Sequence, residues 1–134
     1  MEFADSDMLT LIRANMCSNE QRKFIMWQIA RGLKFLHSGK IVHRDIKPAN
    51  IMVNQNCSAK IADFGLARVY NDKSVGKKKS EPMTDYIATR WYRPPEVLLG
   101  STNYGSPIDI WGFGCTLVEL HIGQPLFPGS STLN

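Results

Sequence analysis

Cysteine is scarce: Cys17, Cys57 and Cys115 are the only three in 134 residues, and none forms a CxxC pair or sits beside a histidine at ligand spacing. That odd, widely spaced set excludes a disulfide framework and a zinc centre, and buried free thiols are expected instead. Long apolar runs are also missing. None approaches the roughly 20 residues that cross a bilayer, and the N-terminal Met1-Glu2-Phe3-Ala4-Asp5 is acidic rather than signal-like. The reading is an intracellular protein, cytoplasmic and also nuclear, with no membrane partner. Acidic residues (12) are outnumbered by Lys and Arg (16), but the excess is local. Lys73, Lys77, Lys78 and Lys79 lie in a Gly/Ser-containing segment without interleaved aromatics, which describes a solvated loop and no specific nucleic-acid surface. What is present is ordinary for one modest globular domain: 43% hydrophobic and 21% charged residues.

Three segments carry helical signals. Met8, Leu11 and Ile12 follow Asp5 and Ser6, which can cap, so a short helix is expected from near Asp7. Ser18-Asn19-Glu20-Gln21 is a Ser-x-x-Gln capping box. It leads into a core helix of about twenty residues, with Ile25, Ile29, Leu33 and Leu36 on one face, Phe24 and Trp27 widening it, and Gly39 as its stop. His37 suits the C-terminal dipole and needs no catalytic role. Ser106-Pro107-Ile108-Asp109 opens a third helix with Ser106 as cap, Pro at the first position and Asp109 in the first turn. Its apolar residues run almost all round, which predicts burial.

The stretch from His43 to Asn50, followed by Asp63-Phe64-Gly65, carries the chemistry. Asp45 offers a carboxylate that can accept a hydroxyl proton, Lys47 a cation two residues on, and Asn50 and Asp63 two hard oxygen ligands of the kind magnesium takes. Phosphoryl transfer asks mainly for positioning and charge neutralisation, and this set supplies both. Pro48 fixes its own φ and biases Lys47 toward extended backbone, so the loop should be irregular with converging side chains. Ile51-Met52-Val53 and Lys60-Ile61-Ala62, separated by a turn-rich stretch, read as a hairpin with Asn50 at its entrance and Asp63 at its exit.

These motifs, in this order, resemble the catalytic lobe of a eukaryotic protein kinase, with the catalytic loop at 43–50 and the magnesium motif at 63–65. The resemblance implies ATP and Mg2+ as cofactors. Asp45 would orient the substrate hydroxyl, Lys47 would neutralise the transferred phosphate, and Asn50 and Asp63 would hold magnesium. Phe64 and Gly65 complete the motif, with Phe64 setting the position of Asp63, and His43 would support the loop while Asp45 acts. By position Glu2 to Ala4 resemble the hinge, Asp7 the acidic residue near the ribose, and Met52 the adenine floor. Asp7 reads equally well as a helix-start carboxylate. The equivalent of Asp109 bonds the catalytic-loop backbone.

From Asp63 to Glu96 no period is sustained, and long structureless segments in compact domains are usually functional. This stretch resembles an activation segment closed by Pro94-Pro95-Glu96, where the family pattern is Ala-Pro-Glu and Glu96 is structural. Thr84-Asp85-Tyr86 and Ala88-Thr89-Arg90-Trp91-Tyr92-Arg93 narrow the resemblance to the mitogen-activated protein kinases. Phosphorylated Thr84 would then engage Arg44 and Arg68, phosphorylated Tyr86 would engage Arg90 and Arg93, and Thr89 would tether the segment to Asp45 and Lys47. Plain surface hydroxyls without regulation are the alternative.

The implied fold is α+β and mainly helical, a protein-kinase-like C-terminal lobe over residues 1–134, from hinge end to central buried helix. No Gly-rich phosphate loop occurs, nor a Val-Ala-Ile-Lys lysine or its glutamate partner. The N-terminal lobe and last helices are therefore expected to be absent, and the isolated chain to be inactive. Two functions stay open: a Ser/Thr kinase acting on protein substrates under an upstream activating kinase, or a non-catalytic interaction module. Oligomeric state is left open.

Overall fold

The computed structural model describes residues 4–70, 90–101 and 105–130. The elements in order are β1 (Ser6–Asp7), α1 (Met8–Ala14), α2 (Asn19–Ser38), β2 (Ile41–Val42), a 3-10 turn (Pro48–Asn50), β3 (Ile51–Val53), β4 (Ala59–Ile61), a second 3-10 turn (Phe64–Leu66), β5 (Arg68–Val69), α3 (Pro95–Leu98) and α4 (Pro107–Ile122). Strands β1, β3 and β4 form one antiparallel sheet, and β2 pairs with β5 in another. None of the described helices is long and apolar enough to cross a membrane.

The capping box forms with both arms. Ser18 Oγ accepts from the Gln21 N–H at 3.2 Å, and Gln21 Oε1 accepts from the Ser18 N–H at 2.8 Å. Asp7, rather than Asp5 or Ser6, caps α1, its Oδ1 accepting the Thr10 N–H at 2.9 Å. At the other end of α2, Gly39 has φ −84° and needs no glycine; Lys40 behind it takes the left-handed conformation at φ 59°. Ser106 sits at the start of α4, but its side chain caps nothing.

The core joins α1, α2, the hairpin and α4 through Met8, Ile12, Ile25, Ile29, Ile51 and Leu120, among others. Two expectations about faces are corrected. Phe24 (47% exposed) and Trp27 (53% exposed) do not widen the buried face of α2; they stack on each other outside, with Arg31 over the Trp27 ring, while Met26 turns inward. The apolar α4 is not buried all round either, for Ile110 is 55% exposed and Trp111 stacks on exposed Phe127 beside an open apolar groove. A period of 3.6 says which residues share a face, and the neighbouring elements decide which face is covered.

The two glycines of α4 separate cleanly. A Cβ at Gly112 would lie 2.6 Å from the Ile46 carbonyl oxygen and 3.1 Å from Ile46 Cβ, so glycine lets the helix touch the loop that carries Asp45. Gly114 meets nothing within 4 Å, and nothing in the structure explains it. Gly112→Ala is expected to destabilise by about 1–3 kcal/mol through overpacking, while Gly114→Ala should stabilise by up to about 1 kcal/mol through helix propensity. Urea midpoints of the two variants check this; a neutral Gly112→Ala would overturn the close-contact account.

Candidate active site

The hairpin brings the two expected metal ligands to one end. Ile51 pairs with Ile61, and the Ala62 N–H donates to the Asn50 carbonyl at 2.9 Å, so Asn50 and Asp63 flank adjacent strand ends. The second strand is Ala59–Ile61, one residue earlier than the alternation implied.

Around the loop, one buried carboxylate acts as an anchor. Asp109 is 1% exposed and accepts three hydrogen bonds, from the His43 N–H (2.9 Å), the Arg44 N–H (2.8 Å) and His37 Nε2 (2.8 Å). Arg44 has φ 70°, a conformation that a non-glycine residue adopts at a cost, and its bond to Asp109 helps to hold it there. His37 is a supporting residue that its position near a helix end did not reveal, because its partner lies 72 residues away.

His43 is fully buried. Its Nε2 donates to the Ala62 carbonyl at 2.9 Å and its Nδ1 accepts from the Asp45 N–H at 3.3 Å, so both ring nitrogens are committed to bracing the loop against the second strand. Phe64 packs edge-on against this ring at 4.9 Å.

Asp45 Oδ2 is engaged twice, by Asn50 Nδ2 at 2.9 Å and Lys47 Nζ at 3.1 Å. Asp45 Oδ1 is buried and has no hydrogen-bond partner among the described residues. The side chain is thus fixed through one oxygen and leaves the other to accept a proton. Asn50 spends Nδ2 on Asp45, through both the carbonyl (2.8 Å) and the carboxylate, which leaves its amide oxygen for a cation. Asp63, at φ 59°, is exposed, and among the described residues its Oδ1 accepts a long 3.3 Å bond from the Gly65 N–H. Among the described residues no group of three or more His, Cys, Asp or Glu can hold a metal. Asn50 and Asp63 nevertheless fit magnesium, which keeps several waters and takes one or two protein oxygens besides substrate phosphates.

The positions expected near the nucleotide also meet. Asp7 is the register partner of Met52 in the β1–β3 pair. The Asp7 carboxylate serves as the helix cap, one of its two readings, with both oxygens also near Thr10 Oγ1 at 3.2 Å. Glu2 and Phe3 lie outside the described residues, as do Thr84, Tyr86 and Thr89. Of the four arginines, Arg68 pairs with Val42, two residues before Arg44. Arg90 is joined to Arg93 by a backbone bond of 3.1 Å. Arg93 is only 7% exposed. Glu96 is exposed in α3.

A second buried carboxylate went unread in the sequence. Glu119 is 2% exposed and accepts the Tyr92 hydroxyl at 2.6 Å, tying the segment before α3 to α4. The available signal was a second acid, after Asp109, inside an apolar helix, which burial obliges to find a donor. Burial pushes the Glu119 carboxyl above the usual range, outweighing the opposing bond from Tyr92 and the charge of Arg13; burial and then Glu119 itself raise the Tyr92 phenol. The folded Glu119 therefore holds its proton more tightly than the unfolded one. Its stability contribution is fully present below an unfolded value near 4.5 and is lost as pH rises through the higher folded value. Glu119→Gln, which keeps the acceptor for Tyr92, should flatten that decline in a pH series of denaturant midpoints. An unchanged slope would refute the assignment.

With this geometry in hand, comparison with known proteins is direct. The protein kinase domain family matches residues 1–134. The chain is 48% identical over 129 residues to "Mitogen-activated protein kinase 5" of Oryza sativa subsp. indica, covering 96% of this chain and 33% of that protein. It is 45% identical over 136 residues to "Extracellular signal-regulated kinase 7" of Drosophila melanogaster, covering 99% of this chain and 15% of that one. Among solved structures, a chain of the yeast RNA Pol II CTD kinase CTDK-1 complex matches with a TM-score of 0.85 and 41% identity, covering 98% of this chain and 42% of its own. The chain thus spans about a third or less of these two curated relatives. It has the protein kinase fold and belongs to the protein kinase family, in its mitogen-activated protein kinase group.

Proposed function

We propose that the chain is the lower, largely helical lobe of a Ser/Thr protein kinase of the mitogen-activated type, which transfers the γ-phosphate of ATP to protein hydroxyls. The observation that carries this reading is the half-committed carboxylate of Asp45, one oxygen held by Asn50 and Lys47 and the other buried without a partner. In that role the Asp45 carboxylate accepts the proton of the attacking Ser or Thr hydroxyl and Lys47 neutralises the phosphoryl oxygens. Asn50 Oδ1 and Asp63 would hold magnesium, which supplies charge neutralisation on the phosphates. Asp7 and Met52 would face the nucleotide.

The test is incubation of a longer form that includes this chain with Mg-ATP and a Ser/Thr-containing protein, followed by identification of the phosphorylated residue. Phosphoserine or phosphothreonine is expected, and phosphotyrosine alone would contradict the reading. Absence of transfer would favour the second reading, an interaction module. The exposed Ile110 and Phe127 beside the apolar groove of α4 speak for that alternative, since such patches mark partner contacts.

Regulation by an upstream kinase at Thr84 and Tyr86 belongs to the same proposal. Each phosphate brings one to three charge-assisted hydrogen bonds, enough to order several loop residues against Arg44, Arg68, Arg90 and Arg93. Hydrogen exchange over residues 72–89 is expected to slow stepwise from the unmodified to the singly and doubly phosphorylated form. Equal protection in all three would refute the switch and leave the catalytic reading standing.

A further inference from the structure

A cleft of about 410 Å3 opens where the last turns of α1 and α4 meet the first turns of α2. It shares no residue with the loop of Asp45. Arg13, Arg22 and His121 line it, and no Asp or Glu does. Arg22 is held in place by two neutral amides, Nη1 donating to Asn19 Oδ1 at 3.3 Å and Nη2 to Asn15 Oδ1 at 3.2 Å, and its Nε is buried without a hydrogen-bond partner among the described residues. Neither arginine forms an ion pair among the described residues. Glu119, the acid that senses Arg13, is turned to Tyr92. The His121 ring donates through Nδ1 to the Leu117 carbonyl at 2.8 Å, leaving Nε2 as its other polar atom.

Compensation of helix ends accounts for only part of this charge. Arg13 and His121 stand in the last turns of α1 and α4, each of which gathers about half a negative charge, while the N-terminus of α2 adds about half a positive one. Two full guanidinium charges exceed that even with His121 neutral and Glu119, which the charge of Arg13 reaches, counted as one negative charge. Ile12 and Leu120 supply part of the apolar lining, and the rest of the cleft surface is mostly polar.

We propose that this cleft binds a phosphate group, with Arg13 and Arg22 as the charged donors and His121 as the third. Phosphate fits better than a carboxylate because two guanidinium forks call for close to two negative charges and several acceptor oxygens. The group can come from free phosphate or from a phosphorylated side chain, which present the same chemistry.

The experiment is titration of the purified full chain at constant ionic strength with inorganic phosphate and with N-acetyl-phosphoserine amide, followed by calorimetry and amide chemical shifts. Saturable one-site binding that shifts amides of residues 11–22 and 120–123 is expected. Arg13→Gln should weaken it at least tenfold and Arg13→Gln with Arg22→Gln should abolish it. Because Arg22 also braces Asn15 and Asn19, Arg13→Gln and His121→Gln serve as variants that leave the brace intact. Tighter binding of the phosphoserine compound would assign the site to a phosphorylated side chain, and equal or weaker binding to free phosphate. Non-saturating shifts overturn the proposal, as does wild-type affinity in both Arg13→Gln and His121→Gln.

Discussion

Asp109→Ala is expected to lower the stability of the chain by about 3–5 kcal/mol, the range for removing one side of a buried, charge-assisted network. Three donors lose their acceptor at once: the N–H groups of His43 and Arg44 and the Nε2 of His37. Each donor stranded away from water costs about 1–3 kcal/mol, and water entering the gap recovers part of that. Domains of this size are stable by about 5–15 kcal/mol, so the loss takes a large share. It also has a local signature, since Arg44 at φ 70° then lacks the bond that holds its strained backbone. Urea unfolding measures the first effect and amide exchange at His43 and Arg44 the second. A loss below about 1 kcal/mol, or unchanged exchange at both amides, would show that the loop is held by other contacts.

The second large effect falls on chemistry and leaves the fold intact. Asp45→Ala in a phosphotransfer-competent form should cut kcat by about 10²–10⁴-fold, the usual contribution of a positioned base. Asp63→Ala should cut it by orders of magnitude as well, through loss of a metal oxygen. Stability should change little, because Asp63 is exposed and Asp45 makes its contacts within its own loop. Initial rates of γ-phosphate transfer beside thermal melts decide the matter. Wild-type rates from either variant would remove that residue from the mechanism.

Local sequence signals were legible where the interaction that decides them is itself local. The Ser18–Gln21 capping box, the span of α2 and the hairpin of β3 with β4 depend on residues a few positions apart, and all three form. The catalytic stretch was legible for a different reason: its chemistry needs Asp45, Lys47, Asn50 and Asp63 as residue types, and a resemblance to a known family supplied their roles. Orientation was not legible. Phe24 and Trp27 continue the apolar pattern of α2 but point outward, because Met26 fills the side facing the core. Nor did composition foretell that Arg93 would be buried while Arg68 is exposed.

By itself, then, the sequence determined the three longer helices and the hairpin, the residue types of the candidate site and the family, because these rest on short-range hydrogen bonding, backbone restriction and the order of motifs. Only the tertiary structure decided how that site is held. The grip of Asp109 on the loop, its bond to His37, the Tyr92–Glu119 tie and the contact of Gly112 with Ile46 join residues 27 to 72 positions apart. Each exists because a polar group or a backbone carbonyl, once buried, must be met by a complementary neighbour, and which neighbour that is depends on how the helices pack.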